Sequence, residues 1–147
     1  MKPRIDYQSI DPAVFNAMMA LQIQVNKSKL DTLLAGLVKL RASQINGCAF
    51  CIDMHTKEAR EHGETEQRLY ALTAWAETPF YNERERAALA WTDALTRISE
   101  THAPDDVYEE VRQHFDDKEI VDLTTLIGMI NLWNRLAISL RYEHPVP

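Results

Sequence analysis

The sequence predicts an all-α, single-domain protein of about six to seven helices, spanning residues 1–147. Apolar residues recur at three- and four-residue steps and do not alternate, which is the helical period. Glycine occurs only at Gly36, Gly47, Gly63 and Gly128, too few to serve the tight turns of a strand-rich fold. The chain has 147 residues, enough for one domain at roughly 100 to 200 residues per domain.

Each element has its own signals. Asp11 can cap, and Pro12 can open, a helix running to about Lys27 with Phe15, Met18, Met19, Leu21, Ile23 and Val25 apolar. A second helix, about Lys29 to Ser43, carries Leu30, Leu33, Leu34, Leu37, Val38 and Leu40 and stops before Ile45-Asn46-Gly47. The third starts there and ends near Glu61-His62-Gly63, where Gly63 suits a terminator. Thr65 starts a short helix to about Trp75. Asn82 with Glu85 fits a capping box opening a helix to about Ser99, and Asp116 with Glu119 repeats the pattern. Between them Pro104 opens a helix to Phe115. The last helix, about Asp117 to Arg141, is apolar on most of its circumference. It is therefore expected either to cross the middle of the domain or to meet another subunit.

Composition narrows the function. Hydrophobic residues make up 46% and charged residues 26%, so the chain folds around a core. At this length a domain buries on the order of 70% of its unfolded surface, and neither disulfides nor metals are needed to hold it. The two cysteines are thus free for chemistry. With 16 basic against 22 acidic residues and a net charge of −6, there is no cationic patch for nucleic acid. No apolar run approaches the roughly 18 residues of a membrane span, and the N-terminal residues lead into no signal-like segment. The expected address is the cytoplasm, where thiols stay reduced.

The chemistry concentrates in Asn46-Gly47-Cys48-Ala49-Phe50-Cys51-Ile52-Asp53-Met54-His55. At about 100° per residue, Cys48, Cys51 and His55 fall on one helical stripe. A Cys-x-x-Cys at a helix start can bridge, and the positive end of the helix dipole favours thiolate. His55, four residues past Cys51, can take or return a thiol proton near neutral pH. A zinc site would require a second ligand pair that the chain lacks. Two cysteines acting only as small apolar groups remain an alternative. A purely structural bridge is disfavoured because so small a loop hardly restrains the unfolded chain.

The run Leu37-Val38-Lys39-Leu40-Arg41-Ala42-Ser43-Gln44-Ile45-Asn46-Gly47-Cys48-Ala49-Phe50-Cys51-Ile52-Asp53-Met54-His55 resembles the core of the alkylhydroperoxidase AhpD-like, or carboxymuconolactone decarboxylase, family. Glu83 to Trp91, Glu119 to Leu123 and Asn131 to Leu136 extend the likeness to most of the chain from about residue 30. The resemblance implies an all-α bundle assembled as a trimer or hexamer, and a cysteine pair cycling between dithiol and disulfide. It implies that hydroperoxide is the substrate and that an external dithiol of the lipoamide or protein-thiol kind is the reductant; no cofactor or metal is expected. By resemblance Cys51 attacks the peroxide, Cys48 resolves the sulfenic acid and His55 relays the proton. Dipole position alone would favour Cys48 as the more acidic thiol, so the order of attack rests on the resemblance.

Two positions depart from the family pattern. The family places a Glu twelve residues before the first cysteine, where this chain has Gly36, and the relay is expected to lack the carboxylate that orients His55. That departure keeps a dithiol–disulfide reductase or redox sensor open as an alternative, alongside a non-enzymatic oligomeric scaffold. AhpD itself resembles a version with a His just before the second cysteine, where Phe50 stands here. Asp53, Glu58 and His62 could replace the carboxylate but read as solvated surface residues. Trp75, Trp91 and Trp133 read as core or interface anchors. Asn131, Asn134 and Arg135 read as a polar network on an otherwise apolar helix.

Overall fold

A computed structural model describes residues 2–146, and among these there is no β-strand. Asp6 caps a single turn, α1 (Tyr7–Ile10), too short to announce itself by periodicity. Asp11 then accepts from the Val14 N–H and, with Pro12 in the first turn, opens α2 (Pro12–Asn26) as expected. The next helix, α3 (Thr32–Asn46), starts later than its apolar run suggests, because Asp31 takes the cap and accepts from the Leu34 N–H. Its C-terminus is closed by Gly47 at φ +68°, a left-handed conformation that glycine adopts without a steric penalty. Cys48 follows at once as the N-cap of α4 (Ala49–Glu61).

α5 (Glu66–Ala71) runs into a 3-10 turn over Leu72–Glu77, and α6 (Glu83–Thr96), α7 (Ile98–Thr101), α8 (Asp105–His114) and α9 (Asp117–Ser139) complete the chain. Both capping boxes, Asn82 with Glu85 and Asp116 with Glu119, are formed. All the expected helices are present, and α1 and α7 are short additions.

The helix at the centre is α3, which packs against α4, α6 and α9. Its residues divide between two apolar clusters. Leu34 and Val38 join Trp91, Val111, Phe115, Leu123, Leu126 and Ile127, while Leu37 and Leu40 join Ala59, Leu69, Leu72, Tyr81 and Leu89. Each fully buried leucine contributes about 1.5 to 3 kcal/mol relative to exposure. The long α9 lies beside this centre: Leu123, Leu126, Ile127 and Ile130 are buried, whereas Val121, Leu132 and Ile138 are exposed. It therefore serves the core with one face and presents the other outward.

Polar side chains lock the helices where burial leaves no water. Arg41 of α3 grips both oxygens of Asp93 of α6 at 2.7 and 3.0 Å and donates to the Thr73 carbonyl, a bidentate pair with high geometric specificity. Trp75 donates to the same Asp93 carboxylate and Trp91 donates to Thr124, so both act as the anchors their sequence suggests. Among the described residues no helix is long and apolar enough to cross a membrane.

Candidate active site

The α3–α4 corner sets the position of the cysteines. Since only Gly47 and Cys48 separate the two helices, the start of α4 is tied to the end of α3. The Cys48 N–H donates to the Ser43 carbonyl at 3.0 Å. Asn46, at the end of α3, donates to Asn131 Oδ1 and Asn134 Oδ1 of α9, both at 2.9 Å. Asn134, which is fully buried, returns a bond to Ser43 Oγ at 3.1 Å, and Asn131 donates to Thr96 and to the Ile127 carbonyl. Arg135 caps the set by donating to Asn131. The asparagines read from sequence as a network are one, and its place is directly behind the Cys-x-x-Cys turn.

Cys48 and Cys51 are bridged, with Cα atoms 5.3 Å apart. Cys48 Sγ also accepts from the Cys51 N–H at 3.4 Å, so the sulfurs sit at the amide-rich start of α4. That end of a helix carries partial positive charge and would stabilise thiolate in the reduced pair. The two sulfurs are not equivalent. Both residues are nearly fully buried, but Cys51 lines an open cleft of about 380 Å³ and Cys48 does not. His55 lines the same cleft.

His55 has a carboxylate partner. Its Nδ1 lies 2.8 Å from Glu58 Oε2, one turn further along α4, and Lys39 Nζ of α3 donates to the same oxygen at 3.2 Å. The bond to His55, with Lys39 alongside, holds Glu58 ionised, its pKa lowered to about 2. An ionised carboxylate only accepts hydrogen bonds, so the proton of the neutral imidazole sits on Nδ1 and leaves Nε2 as the free base. Burial pushes the His55 pKa below its ordinary value, the Glu58 hydrogen bond opposes this, and Lys39 adds to it. His55 is thereby kept neutral and ready to accept a proton at physiological pH.

A carboxylate therefore stands beside His55, where the sequence led to the expectation of none. Gly36 supplies none, and a Cβ there would meet only Ala59 at an ordinary 3.8 Å; the partner is Glu58. Its side chain is 44% exposed, which fits the solvated reading made from sequence, and yet its inner oxygen is fully engaged. The i,i+3 spacing from His55 was the available signal; Lys39, on another helix, gave none. Asp53 pairs with Lys57 at the surface, and His62 bonds to the Glu58 backbone carbonyl, so neither orients His55.

The far wall of the cleft comes from distant parts of the chain: Tyr7 and Gln8 of α1, Phe15, Met19 and Gln22 of α2, Trp133 and Ala137 of α9, and Tyr142 beyond it. Trp133 is therefore a cleft residue, with its Nε1 donating to Gln22 at 3.1 Å. Phe50 walls the same space.

The comparisons agree with this architecture. An uncharacterised protein of Bacillus subtilis, YdfG, is 44% identical over 140 residues, covering 95% of each chain. A crystal structure from Agrobacterium tumefaciens, described as a protein of unknown function and candidate antioxidant defence protein AhpD, superposes with a TM-score of 0.96 at 52% identity. It covers 99% of this chain and 100% of that one. An uncharacterised peroxidase-related protein of Silicibacter matches with a TM-score of 0.80 at 25% identity, over 89% of this chain and 70% of its own. Residues 12–94, which hold Lys39, both cysteines, His55 and Glu58, match the carboxymuconolactone decarboxylase family, and with that match over more than half its length the chain belongs to this family.

Proposed function

We propose that the protein is a thiol-dependent hydroperoxide reductase of the AhpD kind, with Cys51 as the attacking thiol, Cys48 as the resolving thiol and His55, oriented by Glu58, as the proton relay. The observation that carries the reading is that Cys51, His55 and Glu58 line one cleft while Cys48, bridged to Cys51, does not. Similarity to proteins described as peroxidase-related or as candidate AhpD supports it.

The chemistry balances over two thiols. His55 Nε2 takes the Cys51 proton, and the thiolate attacks the terminal peroxide oxygen. The O–O bond breaks, Cys51 becomes a sulfenic acid, and the leaving alkoxide receives the proton from His55 to depart as alcohol. The Cys48 thiol then displaces the sulfenic oxygen, closing the bridge and releasing water. An external dithiol, by exchange, restores the reduced pair.

The test is a thiol count before and after stoichiometric hydroperoxide, with Cys51→Ser as the comparison. The fully reduced protein should lose two thiols at a peroxide-dependent rate, and Cys51→Ser should consume no peroxide. Peroxide consumption that survives Cys51→Ser would overturn the assignment. A dithiol–disulfide reductase or redox sensor with weak peroxidase activity is the second reading, favoured by Gly36, and the Glu58 carboxylate bonded to His55 supports the first.

A further inference from the structure

Resting on the proposed peroxidase reading of the site, we propose that the cleft selects hydroperoxides carrying an aromatic ring over hydrogen peroxide and over small aliphatic hydroperoxides. The juxtaposition is of an unbroken arc of five aromatic rings with a single reactive sulfur at its polar end.

The arc can be followed ring by ring. Trp133 meets Phe15 with centroids 6.1 Å apart and edge-on, Phe15 meets Tyr7 at 6.1 Å, Tyr7 meets Tyr142 at 5.8 Å, and Tyr142 meets Phe50 edge-on at 4.6 Å. All five line the cleft. They come from α1, α2, α4, α9 and the segment after it, so no local packing rule explains why they converge. Aromatic pairs attract in edge-to-face and offset arrangements, and a ligand ring entering the cleft would meet these five in the same way. Met19 and Met54, which are partly exposed, add polarisable thioethers that also favour aromatic contacts.

Size and polarity agree. A cleft of about 380 Å³ falls in the range that holds a small organic molecule, whereas a molecule of roughly water size needs only about 30 Å³. Hydrogen peroxide would leave most of the cleft unfilled. The charged groups lining the cleft, Lys39 and Glu58, are bonded to each other and to His55, one turn of α4 past Cys51, and the five rings add no charge. A matching ligand therefore has an apolar ring at one end and an O–O bond at the other.

The wall also has a different origin from the chemistry. Residues 12–94 of the family match contain the cysteines, His55, Glu58 and Lys39, whereas Tyr7, Trp133 and Tyr142 fall outside it. The reacting groups are those of the matched segment, and three of the five rings are added by the flanking chain.

The experiment compares kcat/KM for cumene hydroperoxide, tert-butyl hydroperoxide and hydrogen peroxide, with dithiothreitol as reductant, in the full chain and in Phe15→Leu and Trp133→Leu. Cumene hydroperoxide should be favoured over tert-butyl hydroperoxide by about tenfold, the scale of one good ring–ring contact, and each variant should bring that ratio toward one. A ratio between two substrates is insensitive to a variant that merely folds poorly. Equal rates in the unmodified chain, or a ratio that neither variant moves, would overturn the selection and leave the peroxidase reading standing. Calorimetric titration with the product alcohol 2-phenyl-2-propanol, using tert-butanol as control, reads the same preference without chemistry. Saturable binding of the aryl alcohol alone, weakened by Phe15→Leu, supports the proposal even if no hydroperoxide is turned over; its absence overturns it.

Discussion

At the scale of single residues, the arrangement turns on one carboxylate oxygen shared between an imidazole and an ammonium group. Glu58 fixes the His55 tautomer and opposes the effect of burial on its pKa. Glu58→Gln should therefore lower peroxide turnover by about 10- to 100-fold, as losses of groups that orient a catalytic base commonly do. The sign of the pH effect follows from the same balance. In the unmodified protein, peroxide turnover is expected to fall as pH drops through the lowered His55 pKa, because imidazolium cannot take the thiol proton. Removing the Glu58 anion leaves burial and Lys39 unopposed, so the acid limb moves to still lower pH. A pH–rate profile of the variant with an unmoved acid limb would show that Glu58 does not act through His55. The cysteines and His55 were legible because a helical stripe is a property of spacing alone. Glu58 was in view but discounted, since exposure of a long side chain says little about where its inner oxygen points. The aromatic wall was not legible, because its members are separated by up to the length of the chain.

At the scale of elements, the Cys-x-x-Cys turn is held from behind by the Asn46, Asn131 and Asn134 set that joins α3 to α9. Asn134 is fully buried, and its removal takes away its bonds to the Asn46 amide and the Ser43 hydroxyl, which keep Asn131 and the Lys39 carbonyl as their other partners. Asn134→Ala is expected to cost about 1 to 3 kcal/mol, from two lost hydrogen bonds at about 0.5 to 1.5 kcal/mol each. Denaturant unfolding measures it, and an unchanged midpoint would show that the network bears no stability. Helix starts were legible wherever a short polar residue stood before an apolar run, as Asp11, Asn82 and Asp116 do. The start of α3 was not, because Leu30 continues the apolar spacing across the capping Asp31 and hides the boundary. The 3-10 turn after α5 was hidden for a related reason: Leu72–Glu77 contains no glycine or proline, and the backbone departs from helical geometry only at Ala74.

At the scale of the whole molecule, two outer helices carry apolar residues that the single chain leaves uncovered. Val14, Leu21 and Ile23 of α2 and Val121, Leu132 and Ile138 of α9 are all exposed. Apolar surface left uncovered by the chain itself is where a second copy would pack, and a trimer or hexamer is the assembly expected from the family resemblance. Sedimentation equilibrium should give a mass several times that of the chain, and Leu21→Glu or Leu132→Glu should reduce it. A monomeric unmodified protein would exclude the assembly. Fold class was legible at this scale because helical period and scarce glycine act everywhere along the sequence. The order of centrality was not: α9 has the most continuous apolar run, yet α3 is the helix surrounded by others, since what places a helix at the centre is how many neighbours its faces must serve.

The segment before α1 is stitched to the end of α9. The Arg4 N–H donates to the Leu140 carbonyl, its guanidinium to the Ser139 carbonyl, and Gln8 to the Tyr142 hydroxyl at 2.6 Å. Tyr7, Gln8 and Tyr142 are also part of the cleft wall. The fold thus works like a drawstring purse: pulling its two cords apart would loosen the mouth. Any load on one cord is transmitted to the rim of the space into which Cys51 and His55 face.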